Sequence, residues 1–247
     1  NINGNTRTID SVIRRELEFA EGDAFNNILL NKSIKKIKRS GIFSQVNIEN
    51  IDNGKIEVKV KEKPTGSFQF GLGFNSYSGA TFIASLKENN FQGTGKKVNF
   101  TFNNSANRSE YAIGLVDPYA FDEDLDLIYS IKYKQLDLSD TSSYNYDDFS
   151  TDIGIMYDLS ENLSHKLTVG YSLKDYEITD QANVSQSISN LSGSNAIFLI
   201  KNNLSLNRLD STVKPTNGEL ANFENVFSPV TNSTDGFTKN TLLLKKY

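Results

Sequence analysis

Phe68, Phe70, Leu72 and Phe74 stand one residue apart, with Gln69, Gly71 and Gly73 between them. A period of two puts the four large side chains on one face of a strand and glycine and amide on the other. The same spacing returns in Phe82/Ala84/Leu86, Val98/Phe100/Phe102, Tyr111/Ile113/Leu115, Leu125/Leu127/Tyr129/Ile131/Tyr133, Ile153/Ile155/Tyr157 and Leu167/Val169/Tyr171/Leu173. Weaker copies cover 196–209, 219–228 and 237–247. The pattern predicts about ten strands of roughly nine to twelve residues each, a length that suits a membrane-spanning strand.

Before Pro64 the period is different. Ile9, Val12, Ile13, Leu17 and Ala20 recur at helical spacing behind Thr8, read as the N-cap, with Asp10 in the first turn and Gly22 as terminator. A second helix is predicted over 26–40, with Leu30, Ile34 and Ile37 inward, Gly41 after its end, and Lys32, Lys35, Lys36, Lys38 and Arg39 on a basic outer face. That face reads as solvated, or as a surface for an anionic membrane or partner. Val46/Ile48 and Ile56/Val58/Val60 alternate around Asp52-Asn53-Gly54, a hairpin signal. With a strand at 1–5, the order is β-α-α-β-β: an α+β domain over 1–63, closed by Lys61-Glu62-Lys63-Pro64.

The residues between the apolar positions of 64–247 decide what solvates the sheet. Many are small or uncharged, among them Gly114, Ser130, Gly154, Gly170 and Ser172. Such residues suit the wet interior of an antiparallel transmembrane β-barrel whose Phe/Leu face meets lipid. Phe74, Tyr77, Tyr119, Tyr133, Tyr157 and Tyr176 fall near strand ends, as interfacial aromatic girdles would. Connections after even-numbered strands (89–95, 118–124, 158–164, 210–218) read as short turns. Those at 137–148 and 179–195 read as long loops, and 76–79 is a short exception. A soluble β-rich binding module remains an alternative on pattern alone.

Composition narrows the chemistry. The 247 residues carry a net charge of -4, which points away from nucleic acid, and there is no Cys. Mean hydropathy is -0.43, and no run of about 18 apolar residues predicts a spanning helix. Both ends read as cut from a longer polypeptide. Gly93-Thr94-Gly95-Lys96 lacks the first glycine of a phosphate loop, since Asn90 stands there. His165 is the only histidine and reads as a solvated side chain. Asp122-Glu123-Asp124 and Asp147-Asp148 lack calcium-loop spacing. The expectation is therefore no enzyme, no catalytic residue, no metal site and no cofactor.

Several ordered motifs carry a resemblance. They are Gly4-Asn5, Arg14-Arg15-Glu16-Leu17, Glu21-Gly22, 40–46 (Ser-Gly-Ile-Phe-Ser-Gln-Val), 60–68, 89–95 (Asn-Asn-Phe-Gln-Gly-Thr-Gly), Asp117-Pro118-Tyr119, and Leu209-Asp210 with 215–218. The chain resembles the BamA family of bacterial outer-membrane β-barrel assembly factors: its last periplasmic POTRA domain, then roughly the first ten strands of its barrel. The resemblance implies an outer-membrane barrel with a periplasmic domain, unfolded outer-membrane proteins as clients, and outer-membrane lipoproteins and the bilayer as partners. It implies a lateral gate in the first barrel strand, Gly66, Ser67, Phe68, Gln69, Phe70, Gly71, Leu72, Gly73 and Phe74. It implies lipoprotein docking through Arg14, Arg15 and Glu21. A related POTRA-barrel transporter for one client class (two-partner secretion or autotransporter assembly) and a passive porin are the other readings.

Overall fold

Asn26 begins the longest helix of the small domain by accepting the amide of Ile28 on its side chain at 2.8 Å, which satisfies one of the donors that a helix start leaves open. In the computed structural model, which describes residues 1–247 except 21, 22, 24, 25, 53, 54, 77, 212, 213 and 232–234, this helix is α2 (Asn27–Arg39). Ahead of it lie β1 (Ile2–Asn3) and α1 (Asp10–Arg14); after it come β2 (Phe43–Asp52) and β3 (Lys55–Glu62). The order β-α-α-β-β is as the sequence predicts, and the sheet runs β1-β3-β2 with β1 parallel to β3. Gly22, Asn53 and Gly54, read as terminator and turn, lie outside the described residues.

The core of this domain is closed. Val12, Ile13, Leu30, Ile37, Ile42, Phe43, Val46, Ile48, Val58 and Val60 form one buried cluster. Ile13 and Ile37 have no exposed surface at all. Ile34 is only partly buried and packs against the cluster from its margin.

Thr8 does not cap α1. The cap position is Ile9, with no side-chain bond, and α1 is five residues long rather than reaching Ala20. Thr8 is buried and its groups are engaged elsewhere, by Glu62 and Asn90. A hydroxyl committed to tertiary partners cannot also bond the helix amides.

The remaining strands are β4 (Gly66–Asn75), β5 (Gly79–Phe91), β6 (Lys96–Ser105), β7 (Arg108–Asp117), β8 (Asp126–Asp137), β9 (Tyr144–Ser160), β10 (Leu163–Ile178), β11 (Gly193–Asn207), β12 (Glu219–Ser228) and β13 (Phe237–Lys246). They form one ten-stranded antiparallel meander in strict chain order, with β4 and β13 as its edges. Two short helices, α3 (Ser139–Ser142) and α4 (Gln186–Ser189), interrupt its connections.

The register gives each face its chemistry. Leu115, Tyr129, Ile153, Val169, Ile200 and Phe227 make one continuous row across β7–β12, and Ile153 and Val169 are more than half exposed. The opposite face carries Ser130, Asp152 and Gly170 side by side. It is less neutral than the alternation suggests. Lys201 pairs with Asp152 at 2.8 Å and Ser172 donates to Asp148 at 2.7 Å, so charge is tolerated there because each carboxylate finds a donor. A Cβ on Gly170 would stand 2.3 Å from Asp152 Oδ1, and the glycine leaves room for that ion pair. On the apolar face, Asn202, Asn225 and Asn240 form an in-register polar ladder, with Asn225 Nδ2 donating to Asn240 at 2.7 Å.

Four expectations change. The proposed long loop at 137–148 is half strand, because β8 runs to Asp137 and β9 starts at Tyr144. The connection at 106–107 is short and the one at 208–218 is long, so short and long connections do not segregate by side. Tyr176 does not join an outer girdle: it faces the Asp148 side and packs on Tyr146 and Tyr144 at 5.5 and 6.0 Å. Tyr133 and Tyr157 do lie on the apolar face. Tyr77 lies outside the described residues. His165 is half-buried rather than solvated, its Nδ1 2.9 Å from the Tyr157 hydroxyl.

Candidate functional site

The candidate gate residues, Gly66 to Phe74, all lie on β4. Among the described residues no strand pairs with its outer side. Phe68, Phe70, Leu72 and Phe74 are 65–83% exposed, more than most of the apolar face, while a Cβ on Gly71 or Gly73 would meet nothing within 4 Å. The base of the strand is held more firmly. Thr65 is buried, and its carbonyl accepts both the backbone amide and the side-chain amide of Asn89, each at 3.2 Å.

By Cα packing, Asn1–Gln69 and Leu86–Asn99 make one compact unit, and Phe70–Ser85 with Phe100–Tyr247 make another. The first unit thus contains the small domain and the feet of β4, β5 and β6. Within it, the turn after β5 meets the segment before α1. Asn90 is 7% exposed. Its Oδ1 accepts the amide of Gly95 at 2.8 Å, closing the turn, and its Nδ2 donates to Thr8 Oγ1 at 2.9 Å. The amide of Ile9 donates to the Gly93 carbonyl at 3.0 Å. Gly93 and Gly95 have φ of 77° and 73°, which favours glycine. Gly93 is also sterically required, since a Cβ there would lie 2.0 Å from the Arg7 carbonyl oxygen, while one on Gly95 would crowd Val12 Cγ1 at 3.2 Å. The phosphate-loop likeness of 93–96 is thus a tight interstrand turn.

Glu62 completes the junction. Its carboxylate, only 7% exposed, accepts the amides of Thr8 and Arg7 at 2.7 and 3.2 Å and the Thr6 hydroxyl at 3.0 Å. Burial pushes this carboxyl up, but the Thr8 hydroxyl and amide, the Arg7 amide and the Thr6 hydroxyl together bring it down to about 2. Nothing in the sequence pattern singled out Glu62, which read as part of a charged boundary. Its neighbour Arg7 reaches back to the Lys63 carbonyl at 3.0 Å.

The candidate docking residues are placed unevenly. Arg14 is exposed in the last turn of α1. Arg15 is half-buried, with its guanidinium over Gly95. Glu21 lies outside the described residues. At the turn between β11 and β12, Asp210 accepts the Thr216 hydroxyl and amide at 2.5 and 3.0 Å. These bonds bring its carboxyl down to about 2, and explain why Asp210 and Thr216 occur together. Among the described residues no three His, Cys, Asp or Glu side chains converge as a metal set.

Comparison with known proteins places this architecture. The model of the Omp85 superfamily domain matches residues 90–247, and that of POTRA, described as a surface antigen variable number repeat, matches 1–63. An outer membrane protein assembly factor BamA of Neorickettsia risticii (strain Illinois) is 31% identical over 235 residues, covering 93% of this chain; the chain spans 32% of that protein. The crystal structure of BamA from Haemophilus ducreyi lacking POTRA domains 1-3 superposes with a TM-score of 0.75 at 22% identity, over 92% of this chain and 47% of that one. CdiB from Acinetobacter baumannii superposes at 0.60 with 13% identity, over 98% and 46% of the two chains. The last two likenesses speak for the fold alone.

Proposed function

The chain belongs to the Omp85 superfamily, and from that premise we propose that the protein it is part of folds and inserts β-barrel proteins into the bacterial outer membrane. Its sheet lies in that membrane and its small domain in the periplasm. The observation that carries the reading is the pairing of a POTRA match with a sheet whose apolar side chains share one exposed face along every strand pair from β7 to β12. Insertion of this kind needs no catalytic side chain. What it needs is a place where a client strand can satisfy its backbone before it meets lipid.

In this reading β4 is that place. An unpaired backbone group in hydrocarbon costs several kcal/mol, so a client strand is templated edge-on against β4 and released once it has paired with its own neighbours. Gly71 and Gly73 weaken β4 as a strand, which suits a seam that exchanges partners. Photo-crosslinkers placed at single positions of β4 in the full-length protein should trap a stalled client, with Gln69 among the positive sites. Uniform failure along 66–75 would remove the gate while leaving the family intact. Arg14, Arg15 and Glu21 would receive an outer-membrane lipoprotein; Glu21→Lys should abolish its co-purification, and retained binding would withdraw that assignment.

A further inference from the structure

We propose that Asn90 is a positioning residue for the gate, clamping the foot of β4 to the small domain. The inference rests on the reading of β4 as the client-accepting strand. It follows from a continuous hydrogen-bond relay. Gly95 donates to Asn90, Asn90 donates to the Thr8 hydroxyl, and Glu62 receives the amide of Thr8. Three of its members, Asn90, Thr8 and the Glu62 side chain, are at least nine-tenths buried.

The direction of each bond is set by chemistry. Glu62 is ionised at neutral pH, can only accept, and holds the Thr8 amide, while the Thr8 oxygen turns a lone pair to Asn90. Asn90 must then present its amide nitrogen to Thr8, which leaves its oxygen for Gly95. Only a side chain with a donor and an acceptor at this spacing fills the position. Asp offers no donor, and Leu leaves both Thr8 and Gly95 with an unmet group in a buried site. The adjacent Asn89 holds Thr65, the residue before β4. One dipeptide therefore fixes both the small domain and the start of the gate strand.

The consequence is mechanical. The first residues of β4 move with the small domain, and a displacement of that domain by a client or lipoprotein reaches the seam through Asn89 and Asn90. A small domain tethered only by its linker would transmit nothing.

The test uses the full-length protein in nanodiscs, with spin labels at Gln45→Cys on β2 and Lys97→Cys on β6, both exposed. The unmutated protein should give one narrow distance distribution. Asn90→Asp and the isosteric Thr8→Val should at least double its width and slow client folding about tenfold. Thr8→Ser, which keeps the hydroxyl, should match the unmutated protein in both. An unchanged width in Asn90→Asp and Thr8→Val overturns the clamp. Equal broadening in Thr8→Ser also overturns it, because the relay would then be only packing. If Asn90→Asp fails to fold, the Thr8→Val and Thr8→Ser pair decides alone. The width reports the clamp whether or not β4 cross-links clients. Absent cross-links in the unmutated protein with the expected widths would count against the gate and not against the clamp.

Discussion

Ile37 in the small domain and Val169 in the sheet are both branched aliphatic residues in regular structure, and they have opposite surroundings. Ile37 has no exposed surface, whereas Val169 is 57% exposed between Ile153 and Ile200, themselves 54% and 40% exposed. With the exception of Ala120, every buried hydrophobic residue among those described belongs to the first 63 positions. The small domain folds by hiding its apolar surface from water under two helices and a sheet. The sheet hides almost none of its own, so within this chain its backbone ladder and polar face supply the internal order. Hydrocarbon must supply the rest. Two regions of one polypeptide thus obey the same hydrophobic effect with different solvents as the outcome.

That contrast can be broken at graded cost. Ile37→Ala should destabilise the small domain by about 2–5 kcal/mol, the cost of a cavity in a closed core, seen as faster hydrogen exchange in α2 with the sheet unaffected. Val169→Arg should cost about 2–4 kcal/mol in a bilayer, as expected for a cation on a lipid face, whereas Ser150→Arg on the polar face should change the folded fraction by about 1 kcal/mol or less. Equal effects would mean that the two faces do not meet different solvents.

Glu62→Gln should weaken the small domain by about 1–3 kcal/mol at neutral pH, because an ionised acceptor is replaced by a neutral one. The pH dependence has a definite sign. The carboxyl sits at about 2 when folded against an ordinary 4.5, so its contribution is complete above pH 4.5 and disappears as pH falls from there towards 2. Thermal melts across that window should slope for the native residue and lie flatter for glutamine. The smallest effects separate two kinds of glycine. Gly170→Ala meets Asp152 Oδ1 at 2.3 Å and should cost about 1–3 kcal/mol. Gly71→Ala meets nothing and should leave stability unchanged or raise it by up to about 1 kcal/mol. A large loss at Gly71 would show that the face opposite Phe70 and Leu72 is filled.

The two hydrophobic periods, near 3.6 before Pro64 and 2 after it, were enough to read the helices, the order β-α-α-β-β and the ten-stranded meander, because side-chain periodicity is a local property of each element. The stop at Arg14 in α1 and the start of β9 at Tyr144 were not legible, since each depends on contacts with distant residues. The same holds for the facing of Tyr176, which the register of β9 and β10 assigns. The candidate gate strand could be read as a strand from its own residues; its place at the sheet edge could not. Glu62 and Thr8 looked like boundary charge and helix cap, and only the approach of the 90–95 turn made them a buried relay with Asn90. Local pattern, then, determined what each segment is and which of its faces is apolar, because those follow from spacing along one chain. Tertiary structure decided which polar groups are matched across 82 residues of sequence, because a hydrogen bond takes its strength from burial and geometry that no single segment contains.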